Sequence, residues 1–246
     1  MTGLPLPEGG AAVVAANLVR LRDQVAQACH RAGRDPAAVT IIGVTKYVDA
    51  ATARLVHAAG CRDLAESRPQ ALWAKAEALA DLAPPPRWHL IGHLQRNKIR
   101  RTLAANPVIH SLDSRRLLEA LAAEATAAGS VCEVLVEVNL AGDPDRTGAT
   151  EAEAEALVVA AATQPAIRLR GLMGMASVPD GDPGAARREF ARLRGLRDRF
   201  AATLPGGEAL RELSMGMSGD FVEAILEGAT MIRIGSALVA GLERQQ

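Results

Sequence analysis

The most restrictive feature of this sequence is an eightfold alternation of short apolar runs with Ala- and Leu-rich helical stretches. The first run, Val39 to Val44, is rich in β-branched residues, as expected of a strand buried on both faces of a parallel sheet. Further strand candidates are Asp63–Glu66, Trp88–Ile91, Val108–Ser111, Val134–Asn139, Leu169–Met173, Glu212–Met215 and Met231–Ile234. Helical stretches fall between them at about 50–59, 69–82, 94–104, 114–128, 150–163, 184–203 and 219–228. A helix over Ala11–Ala32 precedes the first strand, with Val14, Leu18, Leu21 and Val25 on one face and Gly33 as its stop. Eight βα units in 246 residues have the size and rhythm of an α/β fold of one kind, a single (β/α)8 TIM-type barrel. An open doubly wound sheet usually has a Gly-rich turn after its first strand; the turn Thr45-Lys46-Tyr47-Val48-Asp49 has no glycine.

No composition shift marks a second domain. Residues 1–10 read as a loose Gly- and Pro-rich leader, and 11–246 as the barrel. Hydrophobic residues are 49% of the chain, enough for a sizeable core. No apolar run is long enough to span a bilayer, and no signal peptide is visible, so a cytoplasmic protein without membrane contact is expected. Cys29, Cys61 and Cys132 are odd in number and scattered, which suits reduced thiols. Twenty-eight basic residues balance twenty-eight acidic ones, and aromatic residues are only 2%; both weigh against a nucleic-acid partner.

Barrels carry their chemistry at the C-terminal strand ends. The candidate binding residues there are Lys46, Glu66, Ser67, His89, Asn139, Met173, Ser214, Ser218, Arg233, Gly235 and Ser236. A lysine ending an apolar strand is expected among hydrophobic neighbours, where desolvation frees its lone pair for attack on an aldehyde. Gly216, Ser218, Gly219, Gly235 and Ser236 supply small residues, hydroxyls and close backbone N–H groups, with helices expected to begin near 219 and 236; this is phosphate-site chemistry. Arg233 is expected in the barrel mouth, paired with Glu66, Asp220 or a ligand. His89 and His93 have metal-like spacing, but no supporting motif accompanies them, and no metal ligand is assigned. There is no Walker A sequence, and Gly216-Met217-Ser218-Gly219 is not a hydrolase elbow.

The runs Val44-Thr45-Lys46, His89 to Lys98, Arg170 to Met173, Ser214 to Phe221 and Arg233 to Ser236 resemble the pyridoxal 5′-phosphate (PLP) homeostasis proteins. This is the YggS/PROSC family, related to the N-terminal barrel of alanine racemase. The resemblance runs in order from about residue 15 to 241. It implies PLP as cofactor, with Lys46 as the Schiff-base lysine, Ser214, Gly235 and Ser236 at the phosphate, Ser218 nearby, and Arg233 facing the pyridine nitrogen. It also implies a carrier in vitamin B6 homeostasis with no catalytic residue assigned, a monomer, and PLP-dependent apoenzymes as candidate transient partners. The sequence departs from the family in two places. Ala65-Glu66-Ser67 stands where Gly-Glu-Asn is usual, and Arg146 stands where a loop lysine is expected. The competing reading, a PLP-dependent amino-acid racemase, requires a second base on the opposite face of the cofactor. The only tyrosine, Tyr47, is awkwardly placed for that beside Lys46, and no second domain is expected after the barrel to supply another.

Overall fold

The computed structural model describes residues 9–143, 145–177 and 183–242. Helix α1 (Gly10–Arg31) leads into strand β1 (Thr40–Val44) and helix α2 (Ala50–Ala58). The alternation continues through β2 (Asp63–Glu66), α3 (Pro69–Ala78), β3 (Arg87–Leu90), α4 (Ile99–Leu103), β4 (Val108–Leu112) and α5 (Arg115–Ala127). It closes with β5 (Cys132–Val138), α6 (Glu151–Ala162), β6 (Ile167–Gly174), α7 (Pro183–Thr203), β7 (Glu212–Ser214), α8 (Phe221–Leu226) and β8 (Met231–Ile234). The strands form a closed barrel in chain order, all neighbours parallel, with Ile42 beside Arg233 across the β1–β8 seam. The expected (β/α)8 barrel is therefore the fold.

Three expectations need correction. No helix begins near residue 236 among the described residues; the chain after β8 makes turns, with Leu238 N donating to Gly235 O and Leu242 N to Val239 O. The Asn17 side chain on α1 donates to Leu238 O and Ala240 O and ties that tail down. Helix α1 packs between α2 and α8, so the eighth helical place is filled by the helix that precedes β1. Its stripe of Val14, Leu18, Leu21 and Val25 is buried, as the 3.6-residue period requires. The predicted helix over 94–104 is also shorter, a 3-10 turn at Arg96–Lys98 followed by α4. Of the predicted leader, residues 1–8 lie outside the described residues, and Gly10 is already a buried part of α1.

Two cores result. The outer one lies between the helices and the sheet. The inner one, inside the barrel, is built from Ile42, Ala65, Val108, Leu135, Met173 and Met231. Alternation along the strands puts a second, polar set on the same inward face, including His89, His110, Ser214 and Arg233.

Candidate functional site at the barrel mouth

Lys46 lies two residues beyond β1, on a tight turn closed by Val48 N donating to Thr45 O at 3.1 Å. It is exposed, with its ammonium 4.8 Å from the centre of the Tyr47 ring. The expected hydrophobic surroundings of Lys46 are therefore not there. The apolar run stops at Val44, Thr45 is drawn inward, and Lys46 is left on the crest. Thr45 is drawn in by three contacts: its N donates to Ala65 O at 3.0 Å, its Oγ1 to Glu66 Oε1 at 2.6 Å, and its O accepts from Lys75 Nζ at 2.6 Å.

Glu66 is completely buried and does not line the mouth. Its Oε1 is held by Thr45 and by Lys75, while Oε2 has no partner among the described residues. Sequence reasoning missed Lys75. The available signal was its register on α3, where it shares the buried face with Leu72 and Leu79. A lysine on an apolar stripe requires a buried carboxylate partner.

Ser67 is half-buried beside Gly92. A Cβ on Gly92 would lie 2.2 Å from Ser67 O, so only glycine lets the loops after β2 and β3 nest. Asn139 spends its amide on its own loop: Nδ2 donates to Asp143 O and Arg146 O, and Oδ1 accepts from Gly142 N. Met173 is packed in the inner core.

His89 and Ser214 were expected to face a ligand, and the structure places them inside the barrel instead. His89 is wholly buried, with Nε2 2.9 Å from Asp63 Oδ1 and Nδ1 2.9 Å from His110 Nε2. Ser214 is wholly buried, with Oγ 2.9 Å from His110 Nδ1 and 2.8 Å from Arg233 Nη1. The polar atoms of both side chains are already engaged. His110 and Asp63, absent from the sequence-derived set, complete this cluster; His110 sits at an inward position of β4, two residues after Val108.

Arg233 is buried, but its bonds are to Ser214 O at 2.7 Å, Ser214 Oγ and Gly174 O at 3.1 Å. No described carboxylate forms an ion pair with it. Burial lowers its pKa to about 10, against the more distant attraction of Asp220 and Glu137. Burial in turn raises the carboxyls of Asp220 and Glu137, although Asp220 accepts from Met217 N and Glu137 from Thr147. A guanidinium has five N–H donors, and these bonds use three, leaving two for a ligand.

The loop after β7 lies against β8, with Arg233 N donating to Gly216 O at 2.9 Å. Gly216 has φ +92°, and a Cβ there would come within 2.6 Å of Ala224 Cβ, so glycine is required on both counts. At Gly235 the Cβ position lies 3.4 Å from Val44 O, which sets this loop against the strand leading to Lys46. The backbone N–H groups of Ser218, Gly219, Gly235, Ser236 and Ala237 have no hydrogen-bond partner among the described residues. With the Ser218 and Ser236 hydroxyls they form a cradle of free hydrogen-bond donors, the type of group that holds phosphate. Helix α8 has only six residues and starts at Phe221, so the cradle is built from turns rather than from helix ends. An aldehyde-bearing aromatic phosphate such as pyridoxal phosphate fits this donor set: cradle, neighbouring amine and buried guanidinium.

The fold and this arrangement define a barrel of the alanine racemase N-terminal class, and the model of that family, "Alanine racemase, N-terminal domain", matches residues 16–242. A pyridoxal phosphate homeostasis protein of Pseudomonas aeruginosa is 38% identical over 225 residues, covering 92% of this chain and 94% of its own. The crystal structure of an unknown protein from Bifidobacterium adolescentis superimposes with TM-score 0.90 at 34% identity, covering 96% and 98% of the two chains. PipY of Synechococcus elongatus, solved with PLP bound, superimposes with TM-score 0.77 at 34% identity, covering 92% of this chain and all of its own, 100%. The chain belongs to the pyridoxal phosphate homeostasis protein family.

Proposed function

We propose that this chain binds pyridoxal 5′-phosphate at the barrel mouth and serves intracellular vitamin B6 homeostasis as a carrier without turnover. The cradle of unpartnered N–H groups at Ser218–Gly219 and Gly235–Ala237, set against the strand leading to Lys46, carries this reading. Ser218, Gly235 and Ser236 hold the phosphate. Lys46 supplies the amine for a covalent link to the aldehyde carbon. The chain has three lysines; Lys75 is locked in its buried ion pair, which leaves Lys46 as the amine at this strand end. Arg233 faces the ring nitrogen with its remaining donors.

When bound, the cofactor supplies an electrophilic carbon and an electron-withdrawing ring. The protein's own residues restrict the use of that chemistry. A guanidinium donates a hydrogen bond without giving up its proton, so the ring nitrogen stays unprotonated and the ring is a weaker electron sink. Racemisation needs a proton donor on each face of the cofactor. Tyr47 is 86% exposed and sits beside Lys46, and His89 and His110 are bonded to each other inside the barrel. These placements favour holding over turnover.

We also read the protein as a cytosolic monomer whose transient partners are PLP-dependent apoenzymes. Its three cysteines are unpaired, which suits a reducing compartment. No helix among the described residues is long and apolar enough to cross a membrane. Equilibrium dialysis with PLP tests the binding. Wild type is expected to retain the cofactor, and Ser236→Asp, which places a carboxylate in the cradle, is expected to lose it. Equal retention by both proteins contradicts the cradle. Racemisation of alanine or serine well above the rate of free PLP contradicts the absence of turnover.

A further inference from the structure

Five polar side chains form one continuous hydrogen-bonded line through the barrel. Asp63 Oδ1 meets His89 Nε2 at 2.9 Å, His89 Nδ1 meets His110 Nε2 at 2.9 Å, and His110 Nδ1 meets Ser214 Oγ at 2.9 Å. Arg233 Nη1 closes the line on Ser214 Oγ at 2.8 Å. It climbs from the first residue of β2 to the mouth through β3, β4, β7 and β8. The lower end is open to solvent: Asp63 lines a cleft of about 590 Å³ between α1 and the N-terminal ends of β1 and β2, shared with Arg22, Asp23, Cys61 and Arg62. Its side chain is 24% exposed, whereas His89, His110 and Ser214 are fully buried.

The two ends fix the direction of every bond. A guanidinium only donates, and an ionised carboxylate only accepts. Ser214 Oγ accepts from Arg233 and turns its own hydrogen to His110 Nδ1. His110 then carries its proton on Nε2 and donates to His89 Nδ1. His89 in turn carries its proton on Nε2 and donates to Asp63. The reverse order would set a bare His89 nitrogen against the Asp63 carboxylate. Burial keeps both rings neutral. His110 is held well below the usual histidine range by burial, reinforced by His89, Arg233 and Arg87. His89 is lowered by burial despite Asp63 and Glu133, with Arg87 acting in the same sense as burial.

We propose that Asp63, His89, His110 and Ser214 are positioning residues for Arg233, a one-way hydrogen-bond chain that holds its guanidinium still at the floor of the mouth. Because Ser214 directs its hydrogen downward, its lone pairs stay free for Nη1. Gly174 O takes a proton of Nη2 at 3.1 Å. A long, rotamer-rich side chain is thereby ordered before any ligand arrives, which lowers the entropic cost of binding. The inference rests on the reading that Arg233 meets the ring of pyridoxal phosphate.

Its test has two arms. In ligand-free wild type labelled with 15N-histidine, NMR at pH 7 is expected to show both interior rings neutral with the proton on Nε2. A charged ring, or a proton on Nδ1 of either, overturns the chain. Titration with PLP is expected to give about tenfold weaker binding for Ser214→Ala, the loss of one buried hydrogen bond. Ser214→Thr, which returns the hydroxyl, is expected to restore it. Wild-type affinity in Ser214→Ala, or no rescue by threonine, overturns the positioning role. Failure of wild type itself to take up PLP would instead refute the reading of the mouth, while the NMR arm still decides the chain.

Discussion

The Lys75 ammonium lies 2.6 Å from Glu66 Oε1 and 2.6 Å from the carbonyl oxygen of Thr45, so one buried cation fixes both a strand end and the turn that displays Lys46. Lys75 is 7% exposed and Glu66 not at all. Removing one partner of such a pair strands the other charge. Lys75→Met is therefore expected to cost about 3–5 kcal/mol in urea unfolding. Glu66→Gln introduced with it is expected to recover a large part of that loss. A single variant as stable as wild type would show that Glu66 does not need Lys75.

Acid is expected to weaken the fold above the pH range of ordinary carboxylates. Burial lowers His57, His89 and His110 from 6.5 in the folded state. Unfolded histidines regain that value, so between the folded values and 6.5 the unfolded chain binds more protons. The stability these groups confer is complete above 6.5 and is lost as pH falls below it. Glu137 and Asp220 act in the opposite sense, because burial raises them and the folded state keeps their protons more readily. The urea midpoint is expected to fall between pH 7 and pH 5, with net proton uptake on unfolding in that window. A midpoint that stays flat or rises would contradict neutral interior imidazoles.

The thiols are expected to be inert in the folded protein. Cys29, Cys61 and Cys132 are 0%, 3% and 2% exposed. Burial raises the thiols of Cys61 and Cys132 to about 12 and that of Cys29 by less. Ellman's reagent at pH 8 is expected to leave native protein unmodified and to react with all three cysteines in denaturant. Rapid reaction of the native protein would show that these sites open.

The barrel was legible because its signal is periodic. Val39–Val44 and its seven successors are short apolar runs, and the helices between them fill the spaces a parallel barrel needs. The position of Lys46 just past β1 was legible for the same reason. Its environment was not, because Thr45 is pulled inward by Glu66 and Lys75, residues 21 and 30 positions away. His89 and Ser214 fall near strand ends and read as ligand residues. Strand stagger and the His110 side chain place them instead in an internal network. The small residues and hydroxyls around Ser218 and Ser236 were legible, but not that their donors lie on turns rather than at helix ends. The turns that follow β8 are tied down by Asn17, more than two hundred residues earlier in the chain.

The most direct test is to mix the protein with PLP, reduce with borohydride, digest, and locate the attached pyridoxyl group by mass spectrometry. Three lysines are available: Lys46, Lys75 and Lys98. The expected result is a single adduct on the peptide containing Lys46, lost in Lys46→Ala. An adduct on Lys98 or Lys75, or one that survives in Lys46→Ala, would contradict Lys46 as the residue that holds the cofactor.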